Sequence, residues 1–300
     1  MYSPLFAISL LDQVIIIIVF AIISNSNGKN DCIHYNGYMF NFAYKDIVFA
    51  HKLDYASSPE DEYGKHMHVF FELICFVSGS VNYHVETFER KLKPNDIVLI
   101  GPGKYHFAEV NRNEPYERYV YKFPAEFLPD HIDVNELCKA PFFIADPLVE
   151  ALIKGMDNFV EEYGEDDAYV LAKSQMEMIL VMLSHARQRT NAETSDEVVS
   201  RVIDYVDYHI KDPITLESIA KDMHFSPSYL ASRFKREMKT SLMKYVRSKK
   251  IFVAHAMICS GNKPHDVAEL LSFEDYSTFY RNYIKMIGHP PTGVTKKGAI

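Results

Sequence analysis

The sequence predicts a two-part α+β chain, in which an N-terminal antiparallel β-barrel with accompanying helices precedes an all-α C-terminal part. Three observations predict it. Apolar residues follow the short runs of strands from about residue 35 to 125, then recur at helical spacing from Asp146 onward. Charge is split along the chain: residues 196–300 hold 16 Lys/Arg and 12 Asp/Glu, the preceding 195 residues 16 and 28. Finally, a pattern of short helix, tight turn and second helix occurs twice in the last hundred residues.

The 300 residues suit about two domains, and 48% hydrophobic with 24% charged residues supplies ordinary packed cores. A disordered or fibrous chain is excluded. The net charge of −8 excludes a uniformly basic protein, whereas an acidic body with a basic end suits a chain that meets a polyanion at one end. Cys32, Cys75, Cys138 and Cys259 form no Cys-x-x-Cys pair, so free thiols in a reducing compartment are expected.

Residues 1–30 form an apolar leader. Leu5 to Ile23 is nearly all apolar, at the short end of a membrane span, with Asp12 and Gln13 inside it and no basic residue before it. Three readings stay open here: a membrane anchor, a stretch translated upstream of the true start, and a soluble core element. Residues 35–140 make the sensor part. Val69–Val77 is a strand ending at Ser78-Gly79-Ser80, and Val81–Val85 alternates with period two. Ile97–Ile100 follows the turn Pro94-Asn95-Asp96, and Arg118–Phe123 is a further strand. Residues 141–190 form a helical segment expected to mediate homodimerisation, with Leu171, Met178, Ile179, Met182 and Leu183 on one face of its second helix. Residues 191–196 are a polar linker, and 197–297 the C-terminal domain.

In that domain Val198, Val202, Ile203 and Val206 mark a first helix that ends before Pro213. Thr215 caps the next, with Ser218 at the capping-box position and Leu216, Ile219, Ala220 and Met223 on its buried face. Ser226-Pro227 then opens a second helix with Leu230 and Phe234 inward. The same grammar returns from His265, with Ala268 as the small residue and Phe279 and Tyr283 inward; a continuous helix, Ser241 to Ser260, joins the units. Residues 227–250 carry eight basic side chains, Arg233, Lys235, Arg236, Lys239, Lys244, Arg247, Lys249 and Lys250, against Glu237 alone. Such a run suits contacts to DNA phosphates.

Ile214–Ala220, Ser226–Leu230, Phe234–Glu237 and Phe273–Phe279 with Gly288-His289-Pro290-Pro291 resemble the AraC family of transcription regulators over about residues 196–295. The resemblance implies two reader helices entering successive major grooves of duplex DNA. Its base-facing side chains would be Ser228, Ala231 and Ser232 in the first reader, and Tyr276, Ser277, Tyr280 and Arg281 in the second, with Arg233 and Lys235 adding DNA contacts. His224, Lys239 and Ser272 stand where that family often has glycine, Ser232 where it often has arginine, and Val294 replaces its usual closing arginine.

In the sensor part, His66 and His68 share one strand face, Glu72 lies four residues on, and His106 can arrive from a later strand. Three imidazoles and a carboxylate suit a first-row divalent metal, and the Glu72-to-Gly79 interval resembles the motif of cupin barrels. The same groups suit a small polar ligand such as a sugar, beside Phe70, Phe71, Tyr83, Tyr105 and Phe107, or a purely structural role. The reading adopted is a ligand cavity, with no metal, no cofactor and no catalytic residue. The chain is thus expected to be a cytoplasmic, homodimeric, effector-responsive DNA-binding regulator that meets RNA polymerase. The rival is a metal-dependent cupin enzyme fused to a DNA-binding domain.

Overall fold

The computed structural model describes residues 37–54, 63–111, 113–186 and 196–292. The apolar leader, Cys32 and the linker as far as Ser195 lie outside the described residues. No helix among the described residues is long and apolar enough to cross a membrane.

Among the described residues nine strands form two antiparallel sheets. The larger has the order β1-β2-β8-β3-β6-β9 and the smaller β5-β4-β7. Their ranges are β1 Gly37–Tyr44, β2 Ile47–Asp54, β3 Phe71–Ser78, β4 Val81–Val85, β5 Phe88–Lys91, β6 Asp96–Ile100, β7 His106–Val110, β8 Tyr116–Phe123 and β9 Phe142–Ile144. The four strands read from the sequence are β3, β4, β6 and β8. β5 and β9 are short and β2 and β7 carry charged residues, but β1 is eight uncharged residues that the sequence reading did not pick out as a strand.

The large sheet is buried on both faces, which explains why Leu73–Val77 of β3 and Ile97–Ile100 of β6 read as apolar runs without alternation. Ile74, Phe76, Val98, Ile100, Tyr116 and Val120 face the small sheet's Val81, Tyr83, Val85, Ala108 and Val110. The opposite face, including Phe49, Leu73, Cys75, Leu99, Tyr121 and Phe123, is covered by the helical segment. That segment begins with α1 (Val134–Leu137) and continues with α2 (Pro147–Glu162) and α3 (Glu165–His185).

Helix α3 lies flat on the sheet through Ala168, Ala172, Met176, Ile179, Leu180 and Leu183, with Gln175 buried among them and donating to the Leu152 carbonyl oxygen. This corrects the expected stripe. Ile179 and Leu183 face the core, but Met178 is 50% exposed and Leu171 is half-buried. Apolar residues surround most of this helix, so periodicity alone did not fix which side meets the sheet. The small Ala168 and Ala172 lie on the side that meets the sheet.

The C-terminal part contains α4 (Glu197–Tyr208), α5 (Leu216–Asp222), α6 (Pro227–Met238), α7 (Leu242–Cys259), α8 (Pro264–Leu270) and α9 (Tyr276–Ile287). The expected caps are formed: Thr215 and Ser218 make a reciprocal capping box on α5, and Ser226 caps α6 with Pro227 in its first turn. Asp275, which the sequence reading did not single out as a cap, accepts from Thr278 N on α9. Leu230, Phe234, Phe279 and Tyr283 are all fully buried, at the same spacing in the two units. His224, Lys239 and Ser272 adopt φ of 60°, 51° and 52°. These are left-handed positions, where a side chain costs about 1–2 kcal/mol relative to glycine.

Candidate functional site

The two reader helices present one wet face each. On α6, Ser228, Ser232 and Lys235 are exposed and Ala231 is half-buried. On α9, Ser277 and Arg281 are exposed, and Tyr276 and Tyr280 are half-buried. Seven of the eight lie off the buried Leu230–Phe234 and Phe279–Tyr283 faces, whereas Tyr276 packs against Phe279, ring centroids 5.6 Å apart, at the edge of the second core.

Arg233 is placed differently. Its Nε donates to Asp196 Oδ2 at 2.5 Å, and its guanidinium also meets the Tyr229 hydroxyl. Asp196 in turn caps α4 by accepting from Val198 N and Val199 N. Burial opposes the charge on Asp196, but the Arg233 hydrogen bond and the two backbone amides prevail and hold its carboxyl below the usual range. Arg233 therefore ties α6 to α4, while Arg281, which donates to Thr278 Oγ1 at 3.2 Å, stands at the surface.

Two members of the basic run are structural. Lys250 Nζ donates to the carbonyl oxygens of Asp212 and Leu271, both at 2.8 Å, and so joins the loop after α4 to the end of α8. Lys249 pairs with Asp207 Oδ1 at 2.8 Å and donates to Gly103 O in the barrel. Charge counting missed both. Their signal was positional: Lys250 sits on the stripe Val246–Ala254–Ile258, and Lys249 lies one turn after Tyr245.

The four sensor residues converge. His66 and His106 pair as an isolated antiparallel bridge just ahead of β3 and at the start of β7, and Glu72 points inward from β3. One ligand atom from each of His66, His68, Glu72 and His106 lies within 4.8 Å of all the others. Glu72 Oε2 is 3.0 Å from His68 Nε2 and 3.3 Å from His106 Nε2, and Oε1 is 3.9 Å from Lys122 Nζ. Burial alone would raise the Glu72 carboxyl, but His106, His68 and the Lys122 charge hold it well below the carboxylate range. His66 keeps an outer edge in solvent. Crowding of its inner side by protein, with His106 beside it, lowers its pKa to about 4. On the same inner wall Lys52 is lowered to about 8 by burial and by the charges of Arg118 and Lys122.

A profile described as an AraC-like ligand binding domain matches residues 52–167, and a helix-turn-helix domain profile matches residues 219–297. The chain belongs to the AraC family of transcription regulators. An uncharacterised HTH-type transcriptional regulator of Bacillus subtilis, YobQ, is 22% identical over 76% of this chain and 87% of its own length. The arabinose operon regulatory protein of Escherichia coli is 22% identical over 67% of this chain and 71% of its own. The multiple antibiotic resistance protein MarA of Escherichia coli is 27% identical over 35% of this chain and 81% of its own. The cupin-like barrel thus carries the ligand-binding match, and α5–α9 carry the DNA-binding one.

Proposed function

We propose that this AraC-family regulator reads a specific duplex site through Ser228, Ala231, Ser232 and Lys235 of α6 and Tyr276, Ser277, Tyr280 and Arg281 of α9, under control of a small effector at the His66–His68–Glu72–His106 cluster. The observation that carries the reading is the equivalence of the two reader helices, each with a buried aromatic face and an exposed polar one. Phosphate contacts from Lys235, Arg236 and Lys244 supply affinity, and Arg281 supplies bidentate reading of guanine.

A carbohydrate is the proposed effector. Imidazoles and a carboxylate can hydrogen-bond hydroxyls, and Phe70, stacked on His68 at 4.0 Å, offers an aromatic face. The similarity to a protein named for the arabinose operon supports the same class. The effector acts only through unequal affinity for two states of the protein. Homodimerisation through the outer side of α3 is supported by Val170 and Met178, 59% and 50% exposed and eight residues apart on one helical face. The protein would work in the cytoplasm, where it meets DNA and RNA polymerase, with no catalytic step.

Selection from a random duplex library at low salt tests the reading. Enrichment of one site, with affinity falling steeply as salt is added, is expected. Folded protein that binds no duplex would overturn it. Thermal-shift screening of sugars tests the effector class.

A further inference from the structure

We propose that the second reader helix, α9, selects thymine by its C5-methyl group, using Tyr276 and Tyr280 as a fixed aromatic wall beside Arg281, and that His265 of α8 is the residue that positions this wall. The proposal rests on the reading of α6 and α9 as DNA readers and names the base class that α9 takes.

The wet face of α9 is built from two adjoining rows. Residues four apart share a helical face, so Ser277, Arg281 and Lys285 form one row and Tyr276 and Tyr280 the other. No acidic residue occurs in the helix. In the polar row, Arg281 Nη2 donates to Thr278 Oγ1 at 3.2 Å, and that hydroxyl donates in turn to Asp275 Oδ2 at 2.8 Å. Asp275 Oδ1 also accepts from Thr278 N at 2.7 Å. The cap of the helix thus steers the arginine, and this bond uses one of its five N–H donors.

The aromatic row is held from three sides. The Tyr276 ring stacks on the His265 ring, with centroids 5.4 Å apart and 23° between the planes. It meets Phe279 at 5.6 Å, and Phe279 is itself fully buried and edge-on to Phe273. Tyr280, one turn further on, lies 6.2 Å away at 40°. Both tyrosines are half-buried, whereas His265 is exposed. A ring fixed before binding has little rotamer freedom left to lose on meeting DNA, so more of its contact energy is expressed as affinity for the right base.

An aromatic surface selects by what the groove offers it. Thymine alone presents a methyl group in the major groove, and the other base edges present hydrogen-bond donors and acceptors. A ring laid against those polar edges takes them from water without pairing them, which costs free energy. Two tyrosines beside an arginine therefore suit thymine beside guanine. The first reader has no such wall. Its outward residues are Ser228, Ala231 and Ser232: two hydroxyls that donate as readily as they accept, and one half-buried methyl. The tyrosine of that helix, Tyr229, is engaged by Arg233 and by the Phe225 ring at 5.1 Å.

The test uses the full chain and the duplex site selected from a random library. Replacing one thymidine at a time by deoxyuridine removes only the methyl group and leaves the protein untouched. In the box whose guanine preference disappears in Arg281→Ala, at least one replacement should weaken binding roughly 4-fold, the worth of one buried methyl-sized group. Replacements in the other box should change it little. Tyr276→Ala and Tyr280→Ala should remove the preference for thymidine over deoxyuridine while the guanine preference stays. His265→Ala should lower the same preference, and His265→Phe, which restores a ring, should return it. Specific binding with no loss on any deoxyuridine replacement overturns the methyl reading. Equal losses in both boxes, or a preference undisturbed in both tyrosine variants, overturn the assignment to α9. An unchanged preference in His265→Ala overturns the positioning role. Folded protein that binds no duplex at all sinks the DNA-binding reading itself, and this proposal with it.

Discussion

The two helix-turn-helix units share a grammar but not a setting. The first, α5 and α6, shares its core with Met67, Tyr105 and Phe107 of the barrel and with α7. The second, α8 and α9, is packed with Ile251, Ala254 and Ile258 of α7 and has no barrel residue in its core. Their arginines differ in the same sense: Arg233 is spent on Asp196, whereas Arg281 is exposed. The barrel thus touches the first unit directly, and the second is joined to it through α7 and the Lys250 bridge. We propose on this comparison that the first unit docks on the barrel and responds to it, and that base reading falls chiefly to the second.

The sharpest way to break this comparison is to empty each core. Phe234→Ala and Phe279→Ala should each cost about 3–5 kcal/mol. Thermal unfolding followed by hydrogen exchange should then separate them. Phe234→Ala should loosen the barrel segment 103–107 along with α5 and α6, and Phe279→Ala should loosen α8 and α9 alone. Equal loosening of the barrel by both would end the distinction.

Next comes Gly103→Ala. Gly103 has φ of 71°, and its added Cβ would press on the Phe252 ring. A loss of about 1–3 kcal/mol is expected, with faster exchange along α7 and little change in α9. A neutral result in a melting experiment would show that the loop does not bear on the helix.

Arginine substitutions sharpen the division of labour. Arg281→Ala should cost about 1–3 kcal/mol at one base position and leave other positions intact. Lys235→Ala should weaken all sequences alike and reduce the salt dependence. Arg233→Ala should lower stability slightly with little loss of base preference. The Asp196 carboxyl is depressed in the folded state, so this contribution is present above the ordinary aspartate pKa and fades as pH falls through the depressed one. Binding titrations across single-base site variants, with denaturation at pH 7 and below pH 4, would show whether the two arginines have been assigned the wrong way round.

The smallest effect tests a feature common to both units. His224→Gly and Ser272→Gly relieve left-handed side chains at equivalent turns and should each stabilise by about 0.5–1 kcal/mol, less the entropy that glycine gains when unfolded. A drop in melting temperature for either would mean that its side chain holds the turn. Ser272 is the better candidate for that, since its hydroxyl donates to Lys211 O at 2.6 Å.

Much of this protein is fixed by its sequence alone. The expected strand face for His66 and His68 is not formed, since both lie in the bridged segment before β3; local rules were enough for the helix caps at Thr215 and Ser226 and for the inward Leu230, Phe234, Phe279 and Tyr283. Each depends on neighbours within a few residues, where backbone sterics and helical or strand periodicity dominate. Only the tertiary structure decided the rest. Which side of α3 meets the sheet was settled by the shape of the opposing surface, because its apolar residues run nearly all round. Whether Arg233, Lys249 and Lys250 face DNA or protein was settled by Asp196, Asp207, Gly103, Asp212 and Leu271, which lie 37 to 146 residues away along the chain or on a neighbouring helix. The meeting of His106 with Glu72, and of Gly103 with Phe252, is likewise a product of chain closure. A basic residue looks the same in a sequence whether it will hold a phosphate or a buried carbonyl, and only packing distinguishes the two.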